Sequence, residues 1–437
     1  MNRDIAHTAM NMAQDEGCRD LRITLMHNHE DTIQVRGEAL ERLQHATAAS
    51  LALNLFIDGR EGFFYTNDLR TDSLRQFIHE AAETTRLLEP DPSRTLADPS
   101  RYYRGGGPQL DNCDSTLPEI DPDEKILLTR HTNRWLAGRD LRIISAETHY
   151  TDRLHSAYYL ISNGFEGYEQ ASHCTLSTIV TVDGGQGQYL MDGWGETRIR
   201  FQDMPRSGVA SIALERALRK IGQKPIAGGR YTMILESPVA GHLLMPLLSA
   251  MSGQMLQQRT SFLAGRLGQA IGSPLLHLID DPLIPGTRGA CLFDYDGVAT
   301  CRRTLFDHGH LATYFIDTPC GHKLGMQPTT QGTHHLIFQP GAHSLQQLMS
   351  LHPDAILVTD FNGGNCDPTT GDFSYGIEGF LLRGGEIVQP LSGMNVTGNM
   401  LTLWQNLVGV ADDADPWETE LIPSLAFSDV AFGGNSL

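Results

Sequence analysis

Residues 239–281 read VAGHLLMPLLSAMSGQMLQQRTSFLAGRLGQAIGSPLLHLIDD. The stretch predicts a buried helix, a polar break and a second structured segment that ends in an Ile-Asp-Asp turn. A helix that holds a catalytic metal needs two histidines on one face and a glutamate beside the first, to bind and deprotonate a water. Here one histidine, His242, is followed by Leu244, Met245, Pro246 and Ser249. The helix has the setting of a metal site without the donors for one.

Outward from this helix, the chain of 437 residues is long for a single core and predicts two or three domains. Hydrophobic residues at 40% and 44 glycines suit a turn-rich globular protein with much sheet. The formal charge of −19, from 33 basic and 52 acidic residues, argues against a duplex-binding surface, because such surfaces neutralise phosphates with Lys and Arg. The first twenty residues lack the apolar core of a secretory signal. The most apolar run, around Leu243 to Met255, is broken by Pro246, Ser249 and Ser252, short of the roughly 20 residues that span a bilayer. A cytoplasmic protein without membrane contact is expected. The seven cysteines are scattered and never spaced C-x-x-C, so reduced, structural thiols are expected.

Patterning predicts an α+β, multi-domain fold. Residues 1–92 read as an N-terminal domain: a helix over 3–20, strands LRITLMH and TIQVRGE, and a hairpin turning at Asp58-Gly59-Arg60. A helix capped by Asp72 or Ser73 follows and stops at Pro90. Residues 93–122, with Pro92 just before them and the Gly105-Gly106-Gly107-Pro108 cluster within, read as a linker. Residues 123–227 read as a central α+β domain with a helix at 123–136, strands turning at Asn163-Gly164, and a helix from Asp203 to Lys220. Residues 228–437 read as a strand-rich C-terminal domain, including strands over 291–315.

The motifs of this last region are Asp280-Asp281-Pro282, Phe293-Asp294-Tyr295-Asp296-Gly297-Val298, Gly309-His310-Leu311 and Thr370-Gly371-Asp372-Phe373-Ser374 with Gly379-Phe380. Gly385-Glu386-Ile387-Val388-Gln389-Pro390 and Gly398-Asn399 follow. In order and spacing they resemble the TldD/PmbA family, the "modulator of DNA gyrase" proteins, which are peptidases or peptidase partners. Asp58-Gly59-Arg60-Glu61-Gly62-Phe63 and Asn163-Gly164 extend the resemblance over most of the chain. In that family one half of a paired enzyme carries His-Glu-x-x-x-His and a cysteine ligand near the C-terminus. Counting back from Gly265-Arg266-Leu267-Gly268 places the motif on Leu244, Met245 and Ser249. A shift of two residues brings in His242 but puts Leu243 and Leu247 on the other positions. The last cysteine is Cys366.

The resemblance therefore implies the PmbA-type (TldE) half, with no catalytic or metal residue of its own and zinc only in a TldD-type partner. It implies a dimer with that subunit or with itself, and an extended peptide substrate bound by strand addition. Asn365, Gly371, Asp372 and Ser374 are the candidate peptide groove. Two alternatives stand beside this one: a homodimeric metallopeptidase with a divergent site built from His308, His310, His334, His335 and Cys366, and a non-enzymatic peptide- or gyrase-binding modulator. Three further patterns read more simply as structure. His79-Glu80 lies on a solvated helix face, His27-x-His29-Glu30 on an exposed polar strand face where alternate residues could meet a metal, and Asp294 and Asp296 in a turn.

Overall fold

The computed structural model describes residues 2–330 and 332–434, in an α+β fold built on three sheets. Helix α1 (Asp4–Asp15) leads into β1 (Asp20–Arg36), β2 (Ala39–Ile57), β3 (Arg60–Thr66) and α2 (Thr71–Leu87). After α3 (Pro122–Arg134) come β4 (Ile143–Ile161), β5 (Phe165–Gly185), β6 (Gln188–Arg198) and α4 (Val209–Arg219). These six strands form one antiparallel sheet in the order β3-β2-β1-β4-β5-β6. The segments on either side of the linker are thus joined by a β1–β4 ladder running from Arg22↔Ile161 to Arg36↔Glu147.

The third region begins with β7 (Gly229–Leu235), α5 (Ser237–Ala250) and α6 (Gly253–Gln258). A small sheet follows from β8 (Leu278–Asp280), β9 (Arg303–Asp307) and β10 (His310–Leu311), with α7 (Thr318–Leu324) before β11 (Leu336–Phe338). Helix α8 (Leu345–Leu351) then precedes β12 (Ala355–Cys366), β13 (Asp372–Arg383) and β14 (Glu386–Asn399). The chain closes with α9 (Met400–Gln405), β15 (Leu407–Val410), β16 (Glu420–Leu421) and β17 (Leu425–Gly434). The third sheet runs β14-β13-β12-β7-β17-β15, and β17 also pairs with β14. Five strands therefore close into a barrel, which removes most of its free edges. One face of these strands packs with α5 and Trp404 into the main core, and Trp404 Nε1 donates to the Leu243 carbonyl at 3.3 Å.

Several local expectations are corrected. LRITLMH and TIQVRGE belong to one strand, because alternation continues through the intervening polar residues: His29 and Asp31 are buried along with Ile33 and Val35. Helix α1 ends at Asp15, short of residue 20. Helix α2 begins at Thr71 behind Arg70, with no side-chain cap from Asp72 or Ser73. Helix α4 starts only at Val209, after Gly208 at φ 99° has turned the chain. Residues 291–302 are loop, because Asp294 and Gly297 make a turn where a strand was expected. The linker packs closely: Ala97, Tyr102 and Leu117 are buried. All seven cysteines are free.

Candidate functional site

Helix α5 follows β7 directly, and Pro238 in its first turn suits a position whose N–H would have no helical partner. Ser237 anchors that turn, its N–H donating to Ser424 Oγ at 3.0 Å and its hydroxyl to the Ile422 carbonyl at 2.7 Å. At 3.6 residues per turn, Leu243, Leu244, Leu247 and Leu248 fall inward and are buried, while His242, Met245 and Ser249 share the outer face.

Of the three positions marked by the resemblance, Leu244 is a hydrocarbon with 0% exposure, and Met245, 45% exposed, offers a thioether. Ser249 offers a neutral hydroxyl. This donor set does not fit zinc, which is held by imidazole, thiolate or carboxylate. The shifted alternative, Leu243 and Leu247, is equally buried and apolar. His242 does lie on the outer face, but its ring is stacked on Phe361, with centroids 4.4 Å apart, and meets Tyr375 edge-on at 4.8 Å. Burial pushes its pKa down, with Asp360 acting weakly in the opposite sense.

Beside this face runs a trough. A hollow of about 290 Å³ is lined by His242, Met245, Asp360, Phe361 and Glu420. Through Pro238, Gly241 and Glu420 it adjoins a hollow of about 610 Å³ walled by Gly193, Trp194 and Gly195 of β6. Strand β6 is the last in its sheet and, among the described residues, pairs with β5 alone. An edge strand presents unpaired backbone donors and acceptors, which an extended peptide can complete. The trough is acidic: Asp360, Asp415, Glu418 and Glu420 line it. Burial first and Glu418 second push the Glu420 carboxyl above its ordinary range. Among the described residues that line it, Arg216 is the cation, held by Asp192 at 3.0 Å and Glu236 at 3.3 Å.

The four groove residues expected from the sequence lie on the β12–β13 hairpin. Asn365 and Ser374 are cross-strand partners, both exposed. The Asp372 carboxylate accepts from Asn399 Nδ2 at 2.9 Å, whereas Gly371 is buried at φ +80° against the Phe262 ring. Four residues upstream of Asn365 on the same strand, about 13 Å along it, Phe361 lines the trough. The sequence reading passed over Phe361, Glu420 and Trp194. Of these only Trp194 carried a signal, as a large aromatic between two strand glycines.

The other candidates have separate partners. His308 sits with Asp307 and His277, and His310 Nδ1 lies 3.3 Å from the Asp307 carbonyl. The backbone N–H groups of His334 and His335 both donate to Asp280 Oδ1 at 2.9 Å. Burial pushes the Cys366 thiol up to about 11, which leaves it an inert thiol at neutral pH. Asp294 accepts from the N–H groups of Asp296 and Val298, closing the turn. His79 pairs with Glu16 at 3.1 Å on an exposed face.

A closed barrel and a long antiparallel sheet with a donor-poor helix between them make up the architecture, and comparison with known proteins names its class as metallopeptidase-related. Residues 115–221 match the family model for the PmbA/TldA metallopeptidase central domain, and residues 228–434 match its C-terminal domain. A crystal structure of a candidate modulator of DNA gyrase from Bacteroides thetaiotaomicron is 41% identical, with a TM-score of 0.97 over 99% of both chains. TldE from Thermococcus kodakarensis is 19% identical and shares the fold, with a TM-score of 0.86 over 98% of this chain and 100% of its own. Metalloprotease PmbA of Escherichia coli O157:H7 is 24% identical over 88% of this chain and 85% of its own. The chain belongs to the PmbA/TldD family.

Proposed function

We propose that this chain is the non-catalytic partner subunit of a TldD/TldE-type cytoplasmic metallopeptidase acting on unfolded or modified peptides. The observation that carries the reading is the outer face of α5, which offers no carboxylate and one aromatic-stacked imidazole where a hydrolytic metal needs three donors. The trough beside that face supports the second half of the reading. Its wall is the face made by Ser177–Ile179 of β5 and Gly193–Gly195 of the outermost strand β6, and an extended substrate that follows β6 along its outer side would gain backbone hydrogen bonds without needing a particular side-chain sequence. The acidic lining favours peptides with a free amino terminus or basic side chains. In this scheme the chain binds, extends and shields the peptide, and the partner supplies the metal-activated water. Localisation in the cytoplasm accords with seven free cysteines. No helix among the described residues is long and apolar enough to cross a membrane.

The test is reconstitution. The purified chain is mixed with a TldD-type subunit and resolved by size exclusion, and each peak is assayed on a disordered peptide. Co-elution, with chelator-sensitive cleavage exceeding that of the TldD-type subunit alone, is expected. Failure to associate would overturn the proposal.

A further inference from the structure

Strand β1 carries a second constellation, unrelated to α5. His29 and Asp31 are two residues apart and so face the same side of the sheet. Across the β1–β2 ladder Asp31 is paired with His45. The three side chains offer ligand atoms that all lie within 4.8 Å of one another. His45 Nδ1 is 2.7 Å from Asp31 Oδ1, and the two imidazoles meet edge-to-face with centroids 4.7 Å apart.

The telling atom is His29 Nε2. The His29 side chain is only 5% exposed, and its Nε2 is buried without a hydrogen-bond partner among the described residues. The nearest carboxylate oxygen, Asp31 Oδ2, is 3.6 Å away, too far for a hydrogen bond. A buried ring nitrogen with an unused lone pair or proton is costly unless something completes it. Here it faces a carboxylate and a second imidazole.

We propose that His29, Asp31 and His45 form a binding site for a divalent transition ion of the zinc type, which ties β2 to β1. Two imidazoles and one carboxylate are a common donor set for such ions and leave a fourth position for water. Asp31 Oδ2 is engaged by Lys125 Nζ at 2.6 Å, and Lys125 also holds Asp152 at 2.7 Å. Oδ1, which otherwise meets His45 Nδ1 at 2.7 Å, is therefore the oxygen for the ion, and His45 exchanges that hydrogen bond for a place in the ion's ligand set. Two carboxylates against one ammonium leave the pocket with a net negative charge before the ion arrives, so a dication enters a favourable field. Lys125 then acts as the outer partner that orients the ligating carboxylate. Solvent reaches the site through His45, whose side chain is 62% exposed.

The position gives the ion a structural consequence. Strand β3 pairs with β2 from Leu51 to Ile57, so residues 39–50 of β2 have, among the described residues, a strand partner on the β1 side alone. His45 lies in the middle of that free stretch, and a bound ion would fasten it. The inference is independent of the proposed peptidase partnership, because the site lies in the six-stranded sheet and uses none of the trough residues.

The test uses the full chain without a histidine tag, stripped with chelator and titrated with Zn²⁺ in competition with a chromophoric chelator. One tight equivalent is expected, weakened at least about tenfold in His45→Ala. His45 is exposed on an edge, so this variant should fold; His29→Gln gives the same loss from the buried side. His308→Ala, in the solvated His277–Asp307–His308 cluster, should leave the equivalent unchanged. Zn²⁺ should also raise the melting temperature of the wild type but not of His45→Ala. No tight equivalent, or one unaffected by His45→Ala, would overturn the site.

Discussion

Strand β1 and helix α5 each obey the period of their secondary structure, yet they bury opposite chemistry. In the middle of β1, alternation carries His29 and Asp31 inward to meet Lys125 and Asp152. In α5 the inward face is wholly hydrocarbon, and the side chains with any polar character are left outside. A buried charge persists only where partners are in place, as they are around Lys125, which is 1% exposed. Burial raises the cost of ionising Asp31, but hydrogen bonds from Lys125 and His45 outweigh it and hold the carboxyl below its usual range. The contrast teaches that metal donors in this chain have to be sought where a strand gathers them, as at His29, Asp31 and His45, and that α5, onto which the sequence resemblance counts the family motif, gathers none on its inward face.

The contrast breaks most visibly at Lys125. Lys125→Met should destabilise by about 3–5 kcal/mol in urea denaturation, because two buried carboxylates lose their counter-ion. Adding Asp31→Asn and Asp152→Asn should recover part of the loss. Next in size, Leu244→Ala should cost about 2–5 kcal/mol by opening a cavity in the main core. A loss below about 1 kcal/mol would mean that the inward face of α5 is not packed as described. Trp194→Ala, on the trough wall but also packed against two core clusters, should cost less than Leu244→Ala because Trp194 is only half-buried, and its distinguishing effect should be a raised KM in the reconstituted complex with kcat unchanged, the pattern of lost uniform binding.

The smallest effect is a pH dependence. Because burial lowers the His242 pKa in the folded chain, the unfolded chain binds the proton more readily. Stability should therefore fall as pH drops below about 6.5 and level off once the folded pKa is passed. His242→Phe, which keeps the stacking on Phe361, should flatten that slope.

Much of the fold was legible because it rests on local signals. The turns at Asp58-Gly59 and Asn163-Gly164 sit where the sequence reading put them, since Gly59 and Gly164 both take the positive φ that glycine allows. The α5 helix is also as read, but the polar stretch after it forms α6, and residues 260–277 are turns and loop where a second structured segment was expected. Long-range assembly was not legible. The trough draws its walls from β6, α5, β12 and β16, and no local pattern links Trp194 to Glu420. The His29 cluster shows the same limit at shorter range. Sequence spacing suggested His27, His29 and Glu30, but Glu30 points to the other face, and the third donor comes from across the hairpin. A register slip of one residue would have turned His45 to the opposite side.

The most direct test of the central claim is a peptidase assay on the isolated chain, purified to homogeneity and supplied with zinc, using a disordered peptide with and without chelator. The account predicts no chelator-sensitive cleavage until a TldD-type subunit is added. Turnover by the chain alone, abolished by chelator and by His242→Ala, would contradict it and make α5 a catalytic helix after all.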